Sequence, residues 1–436
     1  MSKPLKVISL FSGAGGLDYG FETAGFRTAV AVEWDHDSCE TLRRNRKRIA
    51  VLERNIHDVS TDDILEAGKL EVGEASVLIG GPPCQPFSKS GFWASGDTLR
   101  LDDPRAETLH AFLRVLEQAQ PAAFLLENVE GLSYSGKSDG IEMLLREIEQ
   151  INRRRGSHYR PTFQVLCAAD YGVPQQRNRF FMVASRDGLD FRFPAPTHAA
   201  PQSDPQEDFV VTALQPYRTA WDALGDEPPP EGETLEVTGK WARLLPSIPE
   251  GQNYLWHTDR GGGLPLFGWR RRYWSFLLKL AKNRISWTLQ AQPGPAIGPF
   301  HWTSRRLSSR EMCRIQTFPE DVAIFGSRGS VQRQVGNAVP SLLAEVLARE
   351  IRTQLLGRRP QRSGLRLLPP YRGPAPDAEP LAEVPPEFRE LVGEHAAHPG
   401  TGKGYRGAGV GARRSRGSRG SRGGEAASMT SARASR

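Results

Sequence analysis

The chain has 436 residues, of which 38% are hydrophobic, and a formal net charge of +7, a size that allows one large domain or two. Because it contains no run of about eighteen apolar residues, a membrane span is not expected. Four widely spaced cysteines without a CxxC pair argue against a disulfide framework or a zinc site and fit a reducing cytosol. The N-terminal residues run directly into a strand pattern, so no signal peptide is expected.

The positive charge is concentrated at one end of the sequence. Residues 399–436 contain nine Lys or Arg and one Glu, a net +8, which leaves −1 for residues 1–398. Any nucleic-acid-binding surface on the folded part is therefore expected to be a local patch. The Arg-Gly-Ser repeats at 416–424 predict disorder.

The first segment has the pattern of a nucleotide-binding βαβ unit. Residues 5–11 form an apolar run typical of a buried strand, a Gly-rich turn follows at 12–16, and a helical pattern leads to a second strand that ends in Glu33. Such a turn lets a ligand approach the backbone, and the acid can accept hydrogen bonds from ribose hydroxyls. The alternative is a Gly-rich turn without a ligand.

Asp18 interrupts the dinucleotide pattern G-x-G-x-x-G, because it occupies the position of the last glycine. A carboxylate fits poorly beside a pyrophosphate. The loop therefore favours a nucleoside ligand without phosphates, one that carries a cationic sulfonium.

Cys84 lies on a stiffened loop. The apolar run 75–79 is typical of a buried strand. Two glycines follow this run, and Pro82, Pro83 and Pro86 flank the cysteine and restrict the loop. Open α/β sheets bind ligands at the carboxyl ends of their strands, and a thiol becomes a strong nucleophile when its pKa is lowered. The alternative is a proline-rich surface turn with an incidental cysteine.

Further along the chain, one strand brings an acid to the same edge of the sheet, and a later extended segment carries two arginines. The run 122–126 ends in Glu127, and a segment before the strand 179–185 places Arg177 and Arg179 on one face of an extended chain. Solvated charges at a strand end or sheet edge are the alternative.

Six motifs in this order resemble the DNA (cytosine-5)-methyltransferase family, and together they cover about residues 5–355. They are Phe-Ser-Gly-Ala-Gly-Gly at 11–16, Gly-Pro-Pro-Cys-Gln at 81–85, Glu-Asn-Val at 127–129, Gln-x-Arg-x-Arg at 175–179, Arg-Leu-Ser-x-Arg-Glu-x-x-Arg-Ile-Gln-x-Phe-Pro at 306–319 and Gln-x-Gly-Asn-Ala-Val-Pro at 334–340.

The resemblance implies an α/β fold, a Rossmann-like S-adenosylmethionine-dependent methyltransferase sheet with a smaller, irregular target-recognition domain. We expect a catalytic and cofactor-binding domain over 1–192 and the target-recognition domain over 193–304. A C-terminal part at 305–357 is expected to return to the catalytic domain, and 358–436 is expected to be a disordered basic tail.

The resemblance also implies the chemistry. Cys84 would add to C6 of a flipped-out cytosine, Glu127 would contact N3 and the exocyclic amine, and Arg177 would contact the O2 side and lower the pKa of the thiol. Arg179 would hold the same loop. S-adenosylmethionine would bind at Phe11, Gly13, Gly15, Glu33, Trp34, Asp58, Asn337 and Val339, while Gln85 and Ser88 would close over the DNA. The other three cysteines are interpreted as structural.

The segment 259–284 is the predicted DNA-reading surface. It interleaves basic and aromatic residues and follows an acidic stretch, and it lies where the family has its target-recognition domain. A small domain with a solvated basic face and core aromatics is the alternative. The candidate DNA-binding residues here are Arg260, Arg270, Arg271, Arg272, Lys279 and Arg284.

The resemblance thus implies methyl transfer to C5 of cytosine in a specific double-stranded DNA sequence, with protection of that DNA from a cognate restriction enzyme. A functional pairing with a restriction endonuclease is compatible with it. A cytoplasmic, DNA-associated monomer without metal or membrane contact is expected. Two alternatives stay open, namely the same chemistry on tRNA and a DNA-binding protein that has kept the fold without catalysis.

Overall fold

The computed structural model describes residues 4–83, 107–133, 139–200, 214–225, 227–228, 231–269 and 273–393. Several predicted features lie outside these residues: Cys84, Gln85 and Ser88, the arginines at 270–272, and the chain from 394 onward.

Seven strands of the described chain form one sheet in the order β3-β2-β1-β4-β5-β7-β6. They are β1 (Leu5–Leu10), β2 (Phe26–Glu33), β3 (Ala50–Glu53), β4 (Val77–Gly80), β5 (Ala123–Val129), β6 (Thr162–Cys167) and β7 (Asn178–Ser185). The strands β1 to β5 pair in parallel, whereas β7 is antiparallel to both β5 and β6. The predicted α/β sheet is therefore confirmed.

The strand order reverses between β1 and β4, because β2 and β3 extend the sheet on one side and β4 and β5 on the other. Leu10 and Gly80, the last residues of β1 and β4, are partners in register. Loops that leave such a switch point in opposite directions open a crevice at the sheet edge. The Gly-rich turn and the residues that lead to Cys84 therefore start side by side.

Side chains of the central strands alternate between two hydrophobic cores, as the period of a strand requires. In β1, Ile8 and Leu10 enter one core and Val7 the other. Helices Thr61–Gly68, Glu107–Ala119 and Asp139–Arg155 contribute to the first core, and Gly16–Thr23 and Ser341–Glu350 to the second. Because both faces are covered, these strands are almost wholly apolar.

The remaining described elements are short. A capping box begins the helix Ser309–Ile315: Ser308 Oγ accepts from the Glu311 amide, and the Glu311 carboxylate accepts from the Ser308 amide. No helix in the described ranges is long and apolar enough to cross a membrane. The other helices are His36–Asn45, Ala220–Leu224, Ser309–Ile315, Arg328–Asn337 and Pro386–Arg389, and the strands β8 (His198–Ala199) and β9 (Gln215–Pro216) form a small separate pair.

The described residues between 237 and 300 form an irregular region with its own aromatic core. Trp241, Tyr254, Phe267 and Phe276 pack with ring centroids 5.0–6.1 Å apart. Turns and short 3₁₀ helices connect them, as in Ala242–Ser247 and Tyr254–His257. The division of the chain at residues 193 and 304 stays a prediction.

The structure differs from the expectation of disorder for the first part of the tail. Residues 358–393 are described and run along the folded chain, where Leu367 and Leu368 pack against the second core of the sheet. Farther along, Phe388 is 3% exposed in the aromatic core of the irregular region. Composition misleads here, because a few apolar anchors are enough to attach a chain rich in Pro and Gly.

Candidate active site

Glu127 and Arg179 form a buried ion pair at the carboxyl end of β5. Antiparallel pairing of β5 with β7 places Arg179 opposite Val129, beside the end of the strand. Arg179 Nε lies 2.9 Å from Glu127 Oε1, and Glu127 is 8% exposed. Burial raises the pKa of Glu127, while the charges of Arg179 and Arg177 act in the opposite direction. The site therefore favours the protonated carboxyl more than water does.

Arg177 is 1% exposed and binds backbone rather than Glu127. Its Nη1 donates to the carbonyl of Leu289 at 3.3 Å and its Nη2 to that of Gly336 at 2.7 Å. Arg179 thus meets the carboxylate, whereas Arg177 ties its own loop to Leu289 and Gly336. The contact of Arg177 with the O2 side of the base stays a prediction. Alternation along an extended segment could not distinguish the two arginines.

The residues before Cys84 are held against this ion pair. Asn128 Nδ2 donates to the carbonyl of Pro82 at 3.1 Å, and Thr108 Oγ1 to that of Pro83 at 3.0 Å. A Cβ on Gly81 would lie 2.6 Å from Glu127 Oε2, so a larger residue here would displace the carboxylate. The next residue, Cys84, lies outside the described residues. Sequence reasoning missed Gly81, Asn128 and Thr108 as positioning residues, although the first two lie within its motifs.

The three described cysteines are poor candidates for a nucleophile. Burial raises the pKa of Cys39 and of Cys313 to about 12, and it also raises the pKa of Cys167. Since the thiolate is the reactive form, burial disfavours reaction at these three thiols. Their geometry agrees with the structural role inferred from the sequence.

Glu33 fixes the Gly-rich turn at the carboxyl end of β2. Its Oε2 accepts from the amide of Gly13 at 2.8 Å, and its Oε1 accepts from the amides of Trp34 and Asp35, each at 2.9 Å. Gly13 and Gly15 have φ of +53° and +85°, and Phe11 has φ of +54°. The backbone amides lower the pKa of Glu33, but burial raises it more.

The surroundings of this turn fit an adenosine-type ligand. No heavy atom lies within 4 Å of a Cβ built on Gly13, so the turn is open on that side. Trp34, next to Glu33, is 75% exposed and offers a flat apolar face for a purine. Asp58 is exposed at the end of the 3₁₀ turn Ile56–Asp58. That turn follows β3. Arg54, the first residue after β3, donates its amide to the carbonyl of Glu33 at 3.0 Å.

The C-terminal motif closes onto the same turn. A Cβ on Gly16 would lie 2.3 Å from the carbonyl oxygen of Val339, so the two backbones are in direct contact. Val339 is buried, whereas Asn337 is exposed at the end of its helix. The structure thus brings together residues that are about 320 positions apart, as the resemblance implies.

Asp18 has a structural role in this arrangement. It is fully buried, and its two oxygens accept from Ser9 Oγ at 3.0 Å and Thr28 Oγ1 at 3.1 Å. Arg46 Nη1 lies 3.7 Å from it. The expectation that this carboxylate selects a ligand without phosphates is therefore wrong, because the group is directed into the protein.

The predicted DNA-reading residues fall into two groups. Arg260 and Arg284 are exposed, and the guanidinium of Arg260 lies 4.3 Å from the ring centroid of Trp269. Lys279, in contrast, is 4% exposed, and burial lowers its pKa to about 8. This burial contradicts a phosphate contact by Lys279. Lys282, from the same basic stretch, is also buried, and its Nζ lies 2.9 Å from Glu250 and 2.8 Å from Glu379.

Comparisons with known proteins agree with this geometry. A family model for C-5 cytosine-specific DNA methylases matches residues 5–353. Type II methyltransferase M.SacI of Streptomyces achromogenes is 42% identical over 380 residues, which cover 81% of this chain and 94% of that protein. Type II methyltransferase M.NgoFVII of Neisseria gonorrhoeae is 33% identical, with 80% of this chain and 87% of that protein covered.

Solved structures share the fold. A putative DNA modification methyltransferase encoded within an E. coli prophage has a TM-score of 0.57 at 23% identity, with 81% of this chain and all of that chain covered. A Spodoptera frugiperda DNMT2 mutant has a TM-score of 0.52 at 18% identity, with 78% and 98% covered. From the family match, which spans most of the sequence, we conclude that the chain belongs to the C-5 cytosine-specific DNA methylase family and is a DNA (cytosine-5-)-methyltransferase.

Proposed function

We propose that this enzyme methylates C5 of a flipped-out cytosine in a specific double-stranded DNA sequence through a covalent bond between Cys84 and C6. The observation that carries the proposal is the Glu127–Arg179 ion pair, which abuts the backbone just before Cys84. A base inside a duplex cannot enter a pocket at a sheet edge, so the target must leave the helix stack.

In the proposed mechanism the Cys84 thiolate adds to C6 and forms a C–S bond. The raised pKa of Glu127 lets its carboxyl donate a proton to N3, which neutralises the charge that addition places on the ring. C5 is then an enamine-like carbon that accepts a methyl group. Water accepts the C5 proton, the C–S bond breaks to release the thiolate, and N3 returns its proton to the Glu127 carboxylate, which restores the neutral aromatic ring.

We assign the methyl donor site to the Gly-rich turn. S-adenosylmethionine supplies an electrophilic methyl group when bound. Glu33 would accept from the ribose hydroxyls and Trp34 would stack on the adenine, with Phe11, Gly13, Gly15, Asp58, Asn337 and Val339 around them. Glu33 is already held by three amides, so its oxygens are oriented before a ligand binds.

Replacing the nucleophile tests the covalent step. Cys84→Ser is expected to abolish methyl transfer and to leave DNA affinity nearly unchanged, because a serine hydroxyl is not ionised near neutral pH. DNA with 5-fluorocytosine at the target should trap a covalent complex with the wild type, since fluorine blocks the final proton loss. Cys167→Ser is the matched control. Substantial turnover by Cys84→Ser, measured by radiolabelled methyl transfer, would overturn the mechanism.

We further propose that the enzyme acts, as a monomer, in a type II restriction–modification system, the class named for its relatives. The family match favours DNA over tRNA as substrate. Bisulfite sequencing of DNA from expressing cells would give the methylated sequence. A plasmid from those cells should then resist an endonuclease that cuts at this sequence, and full cleavage would contradict the protective role.

A further inference from the structure

Two exposed tryptophans are not used by the proposed mechanism. Trp274 is 40% exposed and Trp287 is 36% exposed, and their rings meet edge to face with centroids 5.4 Å apart at 69°. Phe276, from the same stretch, is 4% exposed in the aromatic core. Large aromatic groups that pair at the surface instead of in a core are typical of binding surfaces.

Trp287 is attached to the loop that carries Arg177 and Arg179. The amide of Gln176 donates to the carbonyl of Ser286 at 2.8 Å, and Thr288 Oγ1 donates to the carbonyl of Gln176 at 2.6 Å. Arg177, the next residue of that loop, donates to the carbonyl of Leu289. Trp287 therefore lies between two residues that are hydrogen-bonded to the edge of the active site.

Trp274, the other member of the pair, is held by hydrogen bonds to its backbone and to the next residue. Asn253 Nδ2 donates to the carbonyl of Trp274 at 2.7 Å, and Gln290 Nε2 donates to Ser275 Oγ at 2.9 Å. The carbonyl of Gln290 in turn accepts from Gln332 Nε2 at 2.6 Å, which links the segment to helix Arg328–Asn337. With both backbones fixed, the indole pair would lose little conformational entropy on binding a ligand.

We propose that Trp274 and Trp287 form an aromatic contact that stacks on a base of the DNA next to the flipped cytosine. The pair is continuous with the active-site edge, and Arg284, three residues before Trp287, is exposed and able to meet a phosphate. Withdrawal of one base from a duplex exposes the faces of its neighbours, and an indole edge or face can cover such a surface. This inference rests on the proposed function, because it requires base flipping.

The test compares the DNA affinities of matched variants in the presence of S-adenosylhomocysteine. The probe is a labelled, unmethylated duplex that contains the target sequence identified by bisulfite sequencing. Trp287→Ala and Trp274→Ala are each expected to weaken binding about tenfold, whereas Trp287→Phe should recover most of it. Tyr371→Ala removes another exposed ring, 62% exposed, and should bind like the wild type. Urea unfolding and cofactor titration should be unchanged in all four variants.

The salt dependence separates stacking from charge contact. The slope of log affinity against log salt should be the same for Trp287→Ala and the wild type, because stacking releases no counterions. Arg284→Ala should reduce that slope by about one. Wild-type affinity in both tryptophan-to-alanine variants would overturn the inference. Failure of the fluorocytosine trap with the wild type would instead overturn the proposed function.

Discussion

At the scale of single residues, the two arginines of the Gln-x-Arg-x-Arg motif have different tasks. Arg179 forms an ion pair with Glu127, whereas Arg177 donates hydrogen bonds to two backbone carbonyls. Both guanidiniums lower the pKa of Glu127. Burial has the largest effect on the pKa of this carboxyl, and Arg179 has the larger effect of the two neighbouring charges.

The pH dependence of methyl transfer tests the effect of Arg179. Arg179→Met removes the nearer charge, so the pKa of Glu127 should rise further. Because the rate falls as the pH rises through the pKa of a required acid, that descending limb should move to higher pH. The maximal single-turnover rate should also fall about 100-fold with the loss of a preorganised charge.

Arg179→Lys keeps the charge and is the matched control, since its descending limb should stay near that of the wild type. An identical shift in the lysine and methionine variants would show that the geometry of the guanidinium, and not its charge, sets the pKa of Glu127.

At the scale of elements, residues 358–393 fasten the irregular region to the sheet. They lie beyond the 5–353 segment matched by the family model. The Arg372 amide donates to Asp222 Oδ1 at 2.8 Å, and Lys282 Nζ donates to the carbonyl of Asp377 at 2.8 Å. At the far end Phe388 stacks on Trp241, with ring centroids 5.6 Å apart at 19°. We therefore expect this segment to contribute to stability.

Phe388→Ala should lower the free energy of unfolding by about 3 kcal/mol, the usual cost of removing a buried aromatic ring. Urea unfolding followed by tryptophan fluorescence would measure it, since Trp241 is the stacking partner. Leu381→Ala, at a position 51% exposed in the same segment, should change stability little. Equal stability of Phe388→Ala and the wild type would show that the segment is not anchored in solution.

At the scale of the whole molecule, the positive charge is concentrated in the last 38 residues of the sequence. Residues 399–436 carry +8, and the rest of the chain carries −1. A basic segment can neutralise phosphates whatever the sequence of the DNA, whereas sequence is read through contacts with base edges. We therefore expect the tail to add affinity without choosing the sequence.

Deleting residues 399–436 should weaken DNA binding at low salt, and the difference from the full chain should shrink as salt screens the charges. Methylation mapping on genomic DNA should give the same sites for both proteins. A changed set of sites after the deletion would mean that the tail is structured and specific.

The sequence by itself determined the sheet and the order of the motifs, and it carries the proposal for the reactive groups. The strands ending in Glu33 and Glu127 are apolar runs that a parallel sheet buries on both faces, so their pattern is local and strong. The motifs at 81–85 and 127–129 consist of adjacent residues, so the sequence alone is enough to recognise them. A linear pattern is sufficient where the physical cause is itself local.

Only the tertiary structure decided what depends on distant neighbours. Lys279 and Arg284 look alike in the sequence, yet one is buried and the other exposed, because burial is set by the chain that packs over a residue. Arg177 finds its partners at Leu289 and Gly336, more than 100 positions away. The hydrogen bonds of Asp18 and the burial of Phe388 were also decided by the tertiary structure. The periodicity of the sequence around each residue does not reveal its partners in the folded chain.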